Sequence, residues 1–536
     1  VTRLLSWLLF VPVALSIAAF WFWLGIPVAM PERVAAEASQ LPCVSYAPFR
    51  RGQTPFDENF IATPEAIEAD LIHLKTMTNC VRTYSVGQGL DRVPELAARH
   101  GMTVLMGIWL GRDPVANAEE ISLGIETARK HPGAIRAVVV GNEVLLRREL
   151  AADALQAIIR SVKLQVPTPV TYADVWEFWL QNKELAAAVD FVTVHILPYW
   201  EDEPVGAADA ADHVLAIRKE VGEIFEGKGI LIGETGWPSR GRMREAAYPS
   251  PSNQARVVQE ILVLAKRQGF DVNLIEAFDQ PWKRVLEGTV GGYWGILDAD
   301  TREPKFGLGT PVSDHPRWLI QAVAGIVLAG AVLAAAHHAA RRSTWPIGRV
   351  EWLSMAVLAA VSGMALGGIA EAASYEIQDP VSAARSVLLG LLALGMPLLA
   401  ANLRMRAIPP RPLGNLGPTT PGHRTARWFS LGIALAGVLA TFVVLGLVFD
   451  PRYRDFPIAP FFVIAAAAVC APRRAGDMAT TRAERIFGWT IGLGALLIVA
   501  REGIENVQAL MLVAALLILA RNLVWGADVR TSEARG

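Results

Sequence analysis

Only three cysteines occur in 536 residues, at Cys43, Cys80 and Cys470. So sparse a set excludes a fold stapled by several disulfides and leaves room for one bond at most. Cys43 and Cys80 fall in the first half of the chain, where a bond between them and a pair of buried thiols both remain open; Cys470 lies in a long apolar stretch. No His/Cys spacing has the pattern of a metal site, so neither a metal nor a cofactor is expected, and His337-His338 reads as an interfacial pair. Lysine is missing altogether from residues 317–536, which hold 20 Arg against 12 Asp and Glu, net +8. Residues 1–316 have the opposite balance, 30 basic against 39 acidic residues, net −9. That acidity argues against nucleic acid or another polyanion as ligand and favours a neutral one.

Long polar connectors are also missing after residue 317. Apolar runs follow near 318–338, 350–370, 381–403, 428–449, 457–472, 486–500 and 506–520, and Leu4 to Val28 forms another at the start. Several approach the roughly 20 residues that a bilayer core requires. The spacers are too short to cover so much apolar surface in water, so one plus seven spans are expected, the last three being shorter. The first run is read as an anchor and not a cleaved leader, being long, Trp-rich at Trp21 and Trp23, and without a small-residue cleavage site before Pro31. Loops with Arg341, Arg342 and Arg349, then Arg404, Arg406, Arg411, Arg424 and Arg427, then Arg473, Arg474, Arg482 and Arg485 alternate with acidic or balanced ones. The positive-inside rule places the arginine loops, and with them Arg3, in the cytoplasm. The expected domains are therefore a 1–30 anchor, a 31–315 extracytoplasmic domain, a 316–525 transmembrane domain of about seven helices and a 526–536 cytoplasmic tail. Glu371 and Arg385 sit near span ends, so no proton relay is indicated, and Gly363/Gly367 and Gly488/Gly492 have the spacing for close helix packing.

Within 31–315, strand-like runs recur at Cys43–Ala47, Asn79–Tyr84, Thr103–Ile108, Ala137–Gly141, Pro169–Tyr172, Phe191–His195, Gly229–Gly233 and Asn273–Phe278. Amphipathic stretches lie between them, at Pro64–Met77, Arg92–His100, Ala116–Lys130, Leu150–Gln165, Ala208–Phe225 and Asn253–Gln268. Eight such units predict an α/β fold, a (β/α)8 TIM barrel, ahead of the all-α multi-span part. In that fold chemistry lies at the carboxyl ends of the strands. Two carboxylates stand there: Glu143, in Val139-Val140-Gly141-Asn142-Glu143, closes strand four, and Glu234, in Leu231-Ile232-Gly233-Glu234-Thr235-Gly236-Trp237-Pro238, closes strand seven. One acid to protonate a leaving oxygen and one nucleophile to attack a sugar are what a retaining glycosidase needs.

These residues resemble glycoside hydrolase family 17, the β-1,3-glucanase family, over about 41–307. The likeness rests on Val44-Ser45-Tyr46-Ala47-Pro48, Val81-Arg82-Thr83-Tyr84, Gly107-Ile108-Trp109, Gly141-Asn142-Glu143, Pro198-Tyr199, Gly233-Glu234-Thr235-Gly236-Trp237-Pro238 and Glu276-Ala277-Phe278-Asp279-Gln280-Pro281-Trp282-Lys283. One departure is Gln280, where such members usually carry Glu. The resemblance implies Glu143 as acid/base and Glu234 as nucleophile. The expected substrate contacts are Tyr46, Arg82, Tyr84, Asn142, Tyr172, His195, Tyr199, Trp200, Trp237, Glu276, Asp279, Trp282 and Lys283, with Asn142 placed for a sugar 2-hydroxyl and Glu276, Asp279 and Lys283 for positioning; the aromatic ones follow predicted strands, where stacking on glucose and core packing both remain open. The charge of Glu234 is expected to raise the pKa of Glu143. A weaker, architectural likeness is to proteobacterial membrane proteins associated with β-glucan synthesis or remodelling. The expected activity is cleavage of β-1,3-glucosidic bonds with transfer to another glucan; plain endo-hydrolysis is the alternative, and a noncatalytic glucan-binding module of an exporter a second. Expected partners are β-glucan, membrane lipid and a glucan synthase or exporter. The expected location is the inner membrane, multi-pass, with the barrel on the periplasmic side.

Overall fold

The computed structural model describes residues 2–31, 40–411, 421–472 and 480–524, with side chains from Leu8 and, in the helix that starts at Pro421, from Arg424. Arg473, Arg474, the 526–536 tail and the Arg3 side chain lie outside the described residues. Two compact units are formed: 28–240 with 246–312, and 1–27 with 241–245 and 313–536.

In the first unit, eight parallel strands close into a barrel in sequence order. They are β1 (Val44–Ser45), β2 (Cys80–Arg82), β3 (Thr103–Ile108), β4 (Ile135–Asn142), β5 (Val170–Val175), β6 (Val192–His195), β7 (Ile230–Thr235) and β8 (Asp271–Leu274). The expected eighth strand started at Asn273; the observed one ends at Leu274, so Glu276 stands beyond the ladder. Three of the helices between the strands start on side-chain caps. Thr63, Asp113 and Ser250 accept from the first-turn N–H groups of Pro64–Lys75, Pro114–Lys130 and Pro251–Gln268, each with Pro at the helix start. Such caps satisfy donors that have no partner inside the helix, at about 1 kcal/mol each. The helices bury one stripe against the strands, as Leu155, Ile159 and Val162 do in Ala152–Lys163.

Cys43, Cys80, Leu105, Ala137, Val139, Ala173 and Leu231 form a small buried cluster of the barrel. Cys43 and Cys80 are joined as a disulfide, which resolves the choice that the sequence left open. Closing a loop of 37 residues constrains the unfolded chain by about 4 kcal/mol on the chain-entropy account.

The second unit is all helical: Thr2–Gly25, Trp318–Ala340, Arg349–Glu376, Pro380–Met405, Pro421–Phe449, Ile458–Cys470, Arg482–Glu502 and Val507–Val524. Seven are long and apolar enough to cross a membrane. Ile458–Cys470, at 13 residues, rises only about 20 Å against a hydrocarbon core of about 30 Å. The expected run near 457–472 is thus the short helix, beside seven long ones. Gly363 lets two helices touch: a Cβ there would stand 2.6 Å from the Gly325 carbonyl oxygen. Gly488 is equally crowded by Val524 and Ala520, whereas Gly492 has ordinary clearance.

Candidate active site

Glu143 directly follows β4 and Glu234 lies near the end of β7, so both side chains leave the carboxyl end of the barrel. The ladder slips beside them, at Val139/Asn142, Val194/His195 and Ile232/Thr235. Irregularities of this kind re-aim side chains at a barrel rim. The β4 exit is also strained: Gly141 has φ +85° and Glu143 φ +53°. Glycine tolerates that region, and a Cβ on Gly141 would meet Val144 Cγ2 at 2.8 Å. Glu143 adopts it at a cost of about 1–3 kcal/mol, held by its N–H donating to the Ala173 carbonyl at 2.8 Å.

Between the two glutamates lies His195, from the end of β6, fully buried. Its Nδ1 is 3.1 Å from Glu143 Oε1 and its Nε2 3.6 Å from Glu234 Oε1. One polar atom from each of Glu143, His195 and Glu234 lies within 4.8 Å of the others. Arg82, buried at the end of β2, holds the set from below: Nη1 donates to the Gly233 carbonyl and to Glu234 Oε1, both at 2.8 Å, and Nη2 to Asn142 Oδ1. The trio is spaced as a cation site would be, yet the Arg82 guanidinium already supplies a fixed positive charge on Glu234. Asn142 is oriented through its carbonyl by the same fork.

Burial pushes the Glu143 carboxyl up, but the hydrogen bond and charge of His195, with Arg147 and Arg82, outweigh it and hold the group below its ordinary range. The expected upward shift is corrected: the His195 hydrogen bond and the charges of three neighbouring side chains outweigh burial. Glu143 keeps 23% of its side chain exposed, Glu234 only 5%. Arg147, four residues after Glu143, caps the Trp109 ring at 3.9 Å and donates to the Leu110 carbonyl. Its spacing from Glu143 was the available signal, and the sequence reading missed it. Asp174, also missed, receives the Tyr172 hydroxyl and the Leu145 N–H; burial raises it to about 6.

The remaining expected contacts divide. Glu276 accepts from Lys283 Nζ at 2.8 Å, and burial, against the Lys283 charge, raises its carboxyl to about 7. Tyr84 lies 4.9 Å beneath the Arg82 guanidinium, with its pKa driven up by burial and then by the charge of Glu234. Trp282 is partly exposed, meets Phe49 and Phe56 edge-on and donates to Gln280 Oε1. Trp200 is half-buried, stacked on Trp294 at 6.4 Å.

Five others are not placed as open sugar contacts. Tyr46, Tyr172, Tyr199 and Trp237 are buried to 1% exposure or less. Tyr46 donates to Asp70, which also holds Arg50 and Arg302; Trp237 donates to the Tyr248 carbonyl. Asp279 is buried on Lys305 at 2.7 Å and the Gly295 N–H, with burial raising it to about 7. These groups build the wall behind the site. Cavities of about 550 and 500 Å³ border outer helices, one lined by Ser122, Glu126 and Arg129, the other by Ala208, Asp212, Glu260 and Arg267, and include neither glutamate.

A closed parallel barrel whose carboxyl end carries two facing glutamates defines the glycoside hydrolase class of site. Residues 43–295 match the BtgE/BtgC glycoside hydrolase domain. The glucan 1,3-β-glucosidase of Saccharomyces cerevisiae is 26% identical over 282 residues, 48% of this chain and 90% of that protein. That of Schizosaccharomyces pombe is 29% identical over 245 residues, 43% of this chain and 76% of the relative. An active-site mutant of Rhizomucor miehei β-1,3-glucanosyltransferase, solved with laminaritriose, is 25% identical across 52% of this chain and 99% of that one, at a TM-score of 0.45. The barrel is thus similar to glycoside hydrolase domains of glucan 1,3-β-glucosidases.

Proposed function

We propose that the chain is a membrane-held retaining enzyme that cleaves β-1,3-glucosidic bonds and passes the glycosyl group to a second glucan. The observation that carries the reading is the spacing of the glutamates, with an oxygen of each within 4.8 Å. Retaining enzymes hold their carboxyls about 5–5.5 Å apart, and inverting ones about 6.5–9.5 Å to admit a water. Glu234, oriented by Arg82, attacks the anomeric carbon; Glu143, on the exposed side, protonates the departing oxygen and then activates the acceptor hydroxyl. Kinship to proteins named glucan 1,3-β-glucosidase supports the β-1,3 linkage. Membrane tethering supports remodelling over digestion, since a fixed enzyme beside growing glucan meets sugar acceptors repeatedly.

For location, the reading rests on the seven apolar helices and the alternating arginines. Ile458–Cys470 is taken as the eighth crossing, because the alternation continues through it. The Cys43–Cys80 bond supports an oxidising compartment for the barrel. The deciding experiment incubates the full chain in detergent with a reduced laminari-oligosaccharide series and resolves products by length and anomeric configuration. Products longer than the substrate, first released with retained configuration, are expected. Shorter products alone would leave a membrane-tethered β-glucanase, and inverted products would refute the site assignment.

A further inference from the structure

Glu143 presents a difficulty for its own assignment. The leaving-group acid must hold a proton when substrate arrives, yet the cations around this carboxyl favour its ionised form. The proton has to reside nearby. Among the described residues His195 is the one group that touches both glutamates, and its ring is closed to solvent. Its Nε2 has no hydrogen-bond partner and faces Glu234 Oε1 at 3.6 Å, while Nδ1 lies at 3.1 Å from Glu143 Oε1, a distance a proton crosses with little movement of heavy atoms. Gly233 lets the ring come so close, since a Cβ there would stand 3.2 Å from His195 Cδ2.

We propose that Glu143 and His195 hold one proton between them, and that His195 is the positioning residue that stores it and returns it to Glu143 for the leaving oxygen. The assignment rests on the reading of Glu143 as acid/base. The charged and titratable groups facing the pair are Arg147 after β4, Tyr172 and Asp174 on β5, Glu234 on β7 and, from β2, Arg82. Glu234 faces Nε2 and is itself paired with Arg82. In the forward step the proton leaves Nδ1, its electron pair staying on nitrogen, and goes to Glu143 Oε1. Glu143 passes it to the glycosidic oxygen as the C1–O bond breaks with its electron pair to that oxygen, while Glu234 bonds to C1. The ring remains neutral with its other proton on Nε2. Deglycosylation reverses the traffic: the acceptor hydroxyl gives its proton to Glu143, which returns it to Nδ1, as the acceptor oxygen bonds to C1 and the ester C1–O bond breaks with its electron pair to the Glu234 carboxylate. The pair then titrates as a unit, so the acid persists to a higher pH than Glu143 alone would allow.

The test is the pH dependence of kcat/KM for the full chain in detergent. Two substrates are compared, an unactivated laminari-oligosaccharide and its dinitrophenyl glycoside, whose leaving group needs no acid. His195→Asn keeps an amide donor near the Nδ1 position and stores no proton. Its basic limb on the oligosaccharide is expected at least one pH unit lower than that of the parent. Its loss at pH 7 should be at least tenfold greater on the oligosaccharide than on the dinitrophenyl glycoside, out of the roughly 10²–10⁴-fold that general acid catalysis supplies. An unmoved limb, with equal losses on both substrates, overturns the proposal and leaves a structural histidine. Glu143→Gln separates this from the underlying reading: if it retains oligosaccharide turnover, the acid assignment itself fails. If His195→Asn does not fold, His195→Gln takes its place. Should neither fold, the parent decides, because a basic limb in the ordinary carboxyl range, below about pH 5.5, contradicts a stored imidazole proton and one above about pH 6 supports it.

Discussion

Replacing Arg82 by Met should separate the nucleophile from the charge that orients it. In the parent, one guanidinium makes three contacts, to Glu234 Oε1, the Gly233 carbonyl and Asn142 Oδ1, at 1% exposure. Removing one partner of a buried ion pair typically costs about 3–5 kcal/mol, because the charge left behind has neither water nor counterion. Glu234, with 5% of its side chain exposed, escapes that cost by taking up a proton. At about 1.4 kcal/mol per pH unit, relief of about 3 kcal/mol corresponds to roughly two units. The acid limb of kcat/KM should therefore move up by about two pH units in Arg82→Met, since an uncharged Glu234 cannot attack. Arg82→Lys should keep the charge and lose the fork, so its limb moves less, while kcat falls because a point-charge ammonium cannot serve Glu234, Gly233 and Asn142 together. The assay is initial rate against pH on one oligosaccharide, with thermal melting to confirm folding. A folded Arg82→Met enzyme whose acid limb stays in place, with kcat/KM within about threefold of the parent, would refute the reasoning.

Three further outcomes are expected. Glu234→Gln should abolish turnover on every substrate, while Glu143→Ala should recover activity with azide, forming the azide adduct of the sugar, or with a good leaving group; absence of rescue would remove Glu143 from the acid/base role. Trp282→Ala should lower the ratio of transferred to hydrolysed product with the Glu234 ester still forming, since a partly exposed plate holds an acceptor over the ester better than it holds water; an unchanged ratio, measured by product mass, would exclude it from acceptor binding. A periplasmic reporter fused after Pro311 should be active and one placed within 341–348 inactive, and the reverse pattern would overturn the proposed sidedness.

What the sequence made legible is what a single strand determines. Burial on both faces turns Ala137–Gly141 and Gly229–Gly233 into β-branched runs, and a carboxylate at the end of such a run must leave the barrel at its carboxyl rim. Glu143 and Glu234 were therefore readable as a pair from two local patterns. The aromatic rings were not, because a Tyr or Trp after a strand carries no sign of whether it turns into the cleft or back into the wall; Tyr46 and Trp237 turn back, and Trp282 does not. Cys43 and Cys80 were legible as neighbours but not as a bond, since the register of β1 against β2 fixes their separation. The same limit explains the direction at Glu143. Its neighbour Glu234 could be named from the motifs, whereas the opposing side chains arrive from β2, β6 and the turn after β4. A motif supplies the reacting atoms, and the registers between strands decide their protonation. Strand-end slips at Asn142, His195 and Thr235 are consequently where the registers aim charged groups at one another.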